Sequence, residues 1–245
     1  MKKILVTAGD SWTGGHQMPV GLNGKVWPNM LAKKLGWDFL NVGRGGAGNE
    51  YIYNSMVDAL SRKNNKVDLA ICLWSNADRW DFEGETSFQV NPDNQHQFGV
   101  YTKEETRKRR LEVMDIIFKH NLASGKYNIL KTLRWQNAFQ NYCQCNNIPF
   151  IQGTAFYPSQ QLDKVHGNIV QIYLEHSLFD SILEKHFWGW PMYEELGGKT
   201  MSTMLNKIDP GETKLRISTI DKHPNDKGHK LMAEALYDKY EEIYL

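Results

Sequence analysis

Ile4-Leu5-Val6-Thr7-Ala8-Gly9-Asp10-Ser11 decides the fold of this chain. Residues 4–8 form a short apolar run with the length and composition of a buried β-strand. The run stops at Gly9-Asp10-Ser11, which puts a serine hydroxyl at the carboxyl end of the predicted strand. Ligands of open α/β sheets bind along that edge. Ser11 is therefore either a helix-capping residue or a nucleophile, and the rest of the sequence has to distinguish the two.

The composition is that of an ordinary globular protein. Of the 245 residues, 41% are hydrophobic, 23% are charged and 12% are aromatic. The aromatic share is high and predicts an aromatic-lined groove or lid in addition to a core. The formal net charge of +1 gives no overall field that favours nucleic acid or an anionic membrane. No apolar run approaches the ~18 residues of a membrane span, and no signal-peptide pattern is present, so we expect a cytoplasmic protein.

Strand-like and helix-like segments alternate along the chain. This alternation predicts an α/β protein with a central parallel sheet and helices on both faces, a three-layer α/β/α sandwich. We expect a single domain over 1–245, a loop over 84–100, and an aromatic-rich insertion at 154–210 that forms a lid or groove wall. Further strands are predicted at 39–43, 69–74, 149–153 and 215–220, and helices at 27–36, after Asn49, at about 104–122, at about 126–146 and at the carboxyl end.

Four predicted strand ends carry small or polar residues. Because parallel strands end at one edge of a sheet, Ser11, Gly46, Asn76 and the pair Asp221 and His223 are expected to meet there. His223 can take the proton of the Ser11 hydroxyl, and Asp221 can hold the other ring nitrogen. The backbone N–H groups of Ser11 and Gly46, with the side-chain amide of Asn76, can donate to a developing oxyanion.

These residues resemble those of the SGNH (GDSL-type) hydrolases. Gly9-Asp10-Ser11 is similar to the first block of that family, Asn41-x-Gly43-x-x-Gly46 to the second, Asn76 to the oxyanion asparagine of the third, and Asp221-x-His223-Pro224 to the fifth. The resemblance spans residues 9 to 224 in the family's order. It implies a flavodoxin-like three-layer fold, no metal and no cofactor, and ester hydrolysis through an acyl-serine intermediate. Compact members also occur in tailed phages, and a phage origin is compatible with this sequence.

The chain departs from that family in two places. The third block usually reads Gly-x-Asn-Asp, whereas this chain has Trp74-Ser75-Asn76-Ala77-Asp78, so the second oxyanion donor is either Ser75 or Asn76. The usual carboxylate stands three residues before the histidine, where this chain has Ile220. Asp221 stands two residues before it, a spacing that resembles polysaccharide O-acetyl esterases and transferases.

Several residues have a structural interpretation beside the functional one. Trp12, Ser75, Trp188 and Trp190 are predicted to contact substrate, although tryptophans in such a run are more typical of core or lid packing. Asn76 is also an ordinary turn residue, and His16 fits a surface loop. Gly43, Gly45 and Gly48 fit a dinucleotide fingerprint, but they follow the second predicted strand instead of the first. The three cysteines, Cys72, Cys143 and Cys145, predict neither a disulfide framework nor a zinc site.

The sequence predicts a serine ester hydrolase, a carboxylesterase or O-deacetylase, that acts on a small acyl ester of a glycan or small molecule. Two alternatives stay open at this point. The same triad can transfer an acyl group to another hydroxyl, and a domain of this fold can bind a glycan or nucleotide without catalysis. The sequence does not define the acyl group, the alcohol or the oligomeric state.

Overall fold

A five-stranded parallel sheet forms the centre of the protein. The computed structural model describes residues 2–15, 25–64, 66–81, 87–89, 104–120, 125–156 and 169–245. The sheet has the order β2-β1-β3-β6-β7, and all four pairings are parallel. This is the flavodoxin-like order, in which the chain changes direction across the sheet between β1 and β3. The strands are β1 (Ile4–Gly9), β2 (Asp38–Asn41), β3 (Leu69–Trp74), β6 (Phe150–Thr154) and β7 (Phe187–Trp188).

Helices cover both faces of the sheet and complete the three-layer α/β/α sandwich. Alternate β1 side chains point to opposite faces, so Leu5 lies in one apolar cluster and Val6 in the other. The helices are α1 (Ser11–Gly14), α2 (Trp27–Leu35), α3 (Asn49–Arg62), α4 (Glu104–Lys119), α5 (Gly125–Cys145), α6 (Ile169–Leu174), α7 (Ser177–Asp180), α8 (Met201–Ile208) and α9 (Asp226–Tyr244). Helices α2 and α9 supply one cluster with apolar side chains, and α3 and α5 supply the other.

The central strand β3 explains why the sequence prediction succeeded. All six of its residues are buried, as the continuous apolar run Leu69–Trp74 predicts for a strand covered on both faces. The indole N–H of Trp74 donates to Gln152 Oε1 at 2.9 Å, so its one polar atom is paired inside the core.

Local signals also place the helix ends correctly. Helix α2 has Pro28 in its first turn and ends at Gly36, which has a left-handed φ of 71°. Helix α9 is capped by Asn225, whose side-chain oxygen accepts from the N–H groups of Lys227 and Gly228. The predicted helices at 104–122 and 126–146 correspond to α4 and α5.

The predicted last strand at 215–220 is wrong. This segment forms only an isolated bridge between Arg216 and Pro224. Ile217 and Ile220 are exposed, at 52% and 93%, and therefore bury no strand face. The N–H of Ile217 donates to His223 O at 2.9 Å, so the backbone closes a local loop in place of a sheet ladder.

The fifth strand comes from the segment that we expected to be an insertion. Strand β7 lies within 154–210 and pairs with β6. Tyr173, Phe187 and Tyr193 of the same segment are buried at 1% exposure or less. The described part of the segment therefore contributes a strand to the sheet and aromatic side chains to the core beside β6. Residues 157–168 lie outside the described residues.

The predicted loop at 84–100 needs a smaller correction. Ser87–Gln89 forms β5, which pairs antiparallel with β4 (Arg79–Asp81). The rest of that range lies outside the described residues. In the part of the chain that the structure describes, no helix is both long enough and apolar enough to cross a membrane.

The three cysteines are free thiols in two different environments. Cys72 on β3 and Cys143 on α5 are buried, and Cys145 at the end of α5 is exposed. Burial raises the pKa values of the Cys72 and Cys143 thiols well above the ordinary value of a cysteine, because the apolar core disfavours the thiolate.

The burial of one histidine is expected to make the fold less stable in acid. His229 on α9 is 7% exposed, and burial lowers its pKa to about 4. The unfolded chain protonates this histidine below its ordinary pKa of 6.5, whereas the folded chain resists protonation until about pH 4. Between those values the unfolded state binds more protons, so stability falls as pH falls, by about 3 kcal/mol for this group.

We therefore expect the free energy of unfolding to fall more for wild type than for His229→Gln when the pH is lowered from 7 to 4. Urea unfolding at several pH values measures this difference. A difference that stays constant over the range would contradict the assignment.

Candidate active site

Ser11, His223 and Asp221 form a continuous chain of hydrogen bonds. Ser11 Oγ lies 2.8 Å from His223 Nε2, and His223 Nδ1 lies 2.6 Å from Asp221 Oδ1. An ionised carboxylate only accepts hydrogen bonds, so Nδ1 carries the ring proton and Nε2 accepts from the serine hydroxyl. The fold thus brings together three predicted residues from the two ends of the chain.

The loop 215–225 holds the histidine and the aspartate. Its two ends are tied by the side-chain amide of Asn225, which donates to the carbonyl oxygens of Lys214 and Arg216 at 2.9 Å each. Within it, Ser218 Oγ accepts from the Asp221 N–H at 2.8 Å, and Asp221 Oδ1 accepts from the His223 N–H at 3.1 Å. The loop is therefore closed by its own hydrogen bonds although it contains no strand.

Arg216 fastens this loop to the rest of the molecule. Its side chain is buried and donates to Lys222 O at 3.0 Å and to Asn206 Oδ1 on α8 at 2.6 Å. The guanidinium lies 4.7 Å from the ring centroid of Trp12, the neighbour of Ser11. One arginine thus contacts helix α8, the histidine-bearing loop and the serine-bearing segment. The sequence analysis did not identify it, because its partners are defined only by the tertiary structure.

Asp10 fixes the segment that carries Ser11. Its carboxylate is fully buried and accepts three hydrogen bonds, from the Trp12 N–H at 2.9 Å, Ser75 Oγ at 2.8 Å and Arg79 Nη1 at 2.7 Å. The first of these bonds makes Asp10 the N-cap of α1, with Ser11 as the first helical residue. The capping interpretation of Ser11 is therefore wrong, and its hydroxyl points to His223 instead.

The loop after β2 is tied to α1 by one asparagine. Asn41 Nδ2 donates to Thr13 O at 2.8 Å, and Asn41 Oδ1 accepts from the Gly43 N–H at 3.0 Å. Further along this loop, Gly46 is exposed and has a left-handed φ of 76°. Among the described residues, the Gly46 N–H has no hydrogen-bond acceptor.

The residues after β3 differ in how their donors are used. Ser75 is 1% exposed, its hydroxyl donates to Asp10, and its N–H donates to Asn49 Oδ1 at 2.8 Å. Asn76 is 9% exposed, and its Oδ1 accepts from the Asp78 N–H at 2.7 Å. No described residue accepts a hydrogen bond from Asn76 Nδ2, so this amide is the unused donor of the pair.

Comparison with known proteins agrees with this architecture. No family model and no curated protein matches the chain by sequence. Solved structures do match over nearly the whole chain. LAE5, an α/β hydrolase enzyme from the metagenome of Lake Arreo, is 14% identical, with 99% of this chain and 97% of that chain covered and a TM-score of 0.54.

Two further matches have names that describe their activity or family. A variant of Axe2, an acetyl-xylooligosaccharide esterase from Geobacillus Stearmophilus, is 15% identical over 99% of this chain and 94% of its own, with a TM-score of 0.51. A lipolytic protein of the G-D-S-L family from Desulfitobacterium hafniense is 16% identical over 97% and 99%, with a TM-score of 0.48. The chain shares the three-layer α/β/α fold of LAE5 and Axe2 over nearly its whole length.

Of the tryptophans that we predicted to contact substrate, Trp12 and Trp188 are buried, and Trp190 is half-buried against the core. Trp12 is 2% exposed and meets Phe156 edge-on at 4.7 Å between ring centroids. Trp188 lies on β7 and is 5% exposed. The ring of Trp190 packs against Phe179 at 4.6 Å. No contact joins Trp188 or Trp190 to Ser11 in the described structure, and His16 lies outside the described residues.

The glycines of the dinucleotide-like pattern are used structurally. The Gly43 N–H donates to Asn41 Oδ1, and the Gly48 N–H donates to Asp81 Oδ1 at 2.9 Å. These two N–H groups are therefore not available to cradle a phosphate. Among the described residues, no group of three or more His, Cys, Asp or Glu side chains is placed to hold a metal ion.

Two polar residues that support the segments around Ser11 and Ser75 were not predicted from the sequence. Arg79 pairs with Asp10, and Asn49 donates through Nδ2 to Ser75 O at 3.2 Å and to Thr132 Oγ1 at 3.0 Å. Each is adjacent to a recognised motif, since Arg79 follows the third block and Asn49 follows the glycine-rich turn. That proximity was the only available signal, because both contacts are long-range.

Gly9 has no room for a side chain. A Cβ at this position would lie 2.1 Å from Thr13 Oγ1 and 3.0 Å from Leu73 O. We expect Gly9→Ala to lower the free energy of unfolding by about 1–3 kcal/mol, because α1 must move away from β1. The matched control is Gly45→Ala, since a Cβ there meets nothing within 4 Å. Equal stabilities of the two variants in urea unfolding would show that this close approach is unimportant.

The Asp10–Arg79 pair predicts a strongly non-additive mutant cycle. Asp10→Asn leaves the Arg79 charge, whose side chain is 10% exposed, without its partner. We expect this single change to cost about 3–5 kcal/mol of stability, as for other broken buried pairs. The double variant Asp10→Asn/Arg79→Met should cost clearly less than the sum of the single changes. Additive effects, measured by urea unfolding, would contradict a direct coupling.

Proposed function

We propose that this protein is a serine ester hydrolase that acts through an acyl-serine intermediate. The observation that carries the proposal is the unbroken hydrogen-bond chain from Ser11 Oγ through the His223 ring to Asp221. The chain lies at the carboxyl edge of a parallel sheet beside the β1/β3 switch point, where ligands of this topology bind. A serine whose hydroxyl donates to a neutral imidazole is poised to become a nucleophile.

In the first half of the reaction, Ser11 Oγ attacks the ester carbonyl carbon while its proton passes to His223 Nε2. The carbonyl oxygen gains the electron pair of the C=O π bond and becomes an oxyanion. Three donors are assigned to it, namely the backbone N–H groups of Ser11 and Gly46 and the Nδ2 of Asn76. Each has no acceptor among the described residues, and a free, fixed donor is what a developing oxyanion needs. Ser75 is excluded as the donor because its hydroxyl is committed to Asp10.

The leaving alkoxide then takes this proton from His223. When the tetrahedral intermediate collapses, the bond to the alkoxide breaks and His223 Nε2 protonates that oxygen, which leaves Ser11 acylated. Water next attacks the acyl carbon while His223 Nε2 takes its proton. When this second tetrahedral intermediate collapses, the bond to Ser11 Oγ breaks, His223 returns the proton to Oγ, and the acid is released. Asp221 keeps its carboxylate throughout and holds the imidazole in the required tautomer and orientation.

The substrate that we propose is a small acyl ester, such as an acetyl ester, of a glycan or small molecule. The similar fold of Axe2, an acetyl-xylooligosaccharide esterase, makes a carbohydrate ester the first class to test. Acyl transfer has no comparable support. The described part of the aromatic segment that we expected to shield the site from water packs beside β6, so it gives no support for a water-excluded site.

Ser11→Ala tests the proposal directly. We expect hydrolysis of p-nitrophenyl acetate to fall by at least about 1,000-fold, because no other group in the triad can carry the acyl chain. A fluorophosphonate should add one phosphonyl group to wild type, and peptide mass spectrometry should locate it on Ser11. Ser55→Ala on α3 is the control and should keep wild-type activity and labelling. Equal hydrolysis rates in wild type and Ser11→Ala would overturn the proposal.

A further inference from the structure

His223 borders a cavity of about 700 Å³ on the surface of the protein. The cavity lies between the end of α1, the loop 215–225 and the start of α9. Its lining includes Gly15 after α1, Lys214 before the histidine loop, and Asp226 and Lys227 in the first turn of α9. The reaction steps proposed above place no part of the substrate in this cavity.

The chemistry of the reaction defines which part of an ester enters this cavity. The inference rests on the proposed function, in which His223 Nε2 returns its proton to the leaving alkoxide. The alkoxide oxygen must therefore lie within hydrogen-bond distance of the His223 ring. The oxyanion donors belong to Ser11, Gly46 and Asn76, and none of these three residues lines the cavity, which His223 alone of the triad residues borders. The cavity beside His223 is thus on the alcohol side of the ester.

The charges around the cavity are unbalanced. Three lysines line it, Lys25, Lys214 and Lys227, against one carboxylate, Asp226. Lys25 pairs with Asp226 at 2.9 Å. Among the described residues, no carboxylate lies within ion-pair distance of Lys214 or Lys227, although Asp209 attracts the Lys214 ammonium from further away. Both ammonium groups can therefore still attract an anion that enters the cavity. The amino end of the 19-residue helix α9 adds positive potential at the same wall.

We propose that this cavity binds the alcohol part of the substrate and selects alcohols that carry a negative charge. The chemical class is an acylated sugar or similar alcohol with a carboxylate or a phosphate group, and Lys214 and Lys227 are the specificity-determining residues. Both ammonium groups are at the solvent-exposed surface, so each raises kcat/KM on an anionic ester by only about 1.4- to 5-fold. Together they give an expected preference for an anionic alcohol of about 2- to 30-fold.

Matched substrates test this selectivity. The neutral substrate is a mono-O-acetylated methyl glucoside, and its anionic counterparts are the methyl glucuronoside and the glucoside 6-phosphate, each acetylated on the same hydroxyl. For wild type we expect kcat/KM to be higher on both anionic esters at low salt and the preference to shrink as ionic strength rises. A preference for one anion alone identifies the group that the cavity takes, carboxylate or phosphate.

Variants assign the preference to the cavity. Lys214→Gln and Lys227→Gln should each lower the anionic-to-neutral ratio of kcat/KM by up to about 5-fold, and the double variant by more. Lys230→Gln is the matched control, because Lys230 is on the same helix, pairs with Glu234 and does not line the cavity. The control should keep the wild-type ratio.

The outcomes distinguish a failure of the proposed selectivity from a failure of the proposed hydrolase activity. If wild type hydrolyses all three esters with the same kcat/KM, or if the preference survives in the double variant, the selectivity is overturned while the hydrolase stands. If none of the esters, nor p-nitrophenyl acetate, is hydrolysed and Ser11 resists fluorophosphonate, the hydrolase is overturned and the selectivity falls with it.

Discussion

The site depends on one buried carboxylate. Asp10 is removed from solvent, and it accepts hydrogen bonds from the backbone after Ser11, from Ser75 after β3 and from Arg79 at the start of β4. A charge in that position is tolerable only because each interaction is short and one partner is cationic. The same contacts fix the relative positions of the segments that follow two neighbouring strands. This network therefore positions the segments that carry Ser11 and Asn76, although the side chains of these two residues take no part in it.

The two halves of the triad are held by different means. Ser11 lies at the end of a central strand and takes its position from the sheet and from Asp10. His223 lies on a loop without regular structure, which takes its shape from internal hydrogen bonds and its position from Arg216. A buried guanidinium that reaches helix α8, the loop and the ring of Trp12 replaces the support that a strand would have given. The His223 ring is consequently held within hydrogen-bond distance of Ser11 Oγ.

Sequence reasoning predicted the parts of the structure that are encoded locally. Continuous apolar runs identified β1, β3 and β6, and proline, glycine and asparagine marked the ends of α2 and α9. The proximity of Ser11, Asp221 and His223 was also predicted, but for a reason that is only half right, because Ser11 follows a strand whereas a loop in place of the expected strand carries the other two. Strand β7 could not, because two residues carry no periodicity. The run at 215–220 was misleading for the opposite reason, since its isoleucines suit a strand but remain exposed. Arg79, Arg216 and Asn49 were missed because each finds its partners far away along the chain.

The distribution of thiols makes the protein convenient to label. Cys72 and Cys143 are enclosed and held in the protonated form, so a maleimide reacts with Cys145 in the folded state. Helix α5 ends at Cys145 shortly before β6 begins, which places this thiol at the amino edge of the sheet, across the molecule from Ser11. A dye attached there is remote from the triad, so the native chain offers a single attachment point for fluorescence or surface immobilisation without engineering.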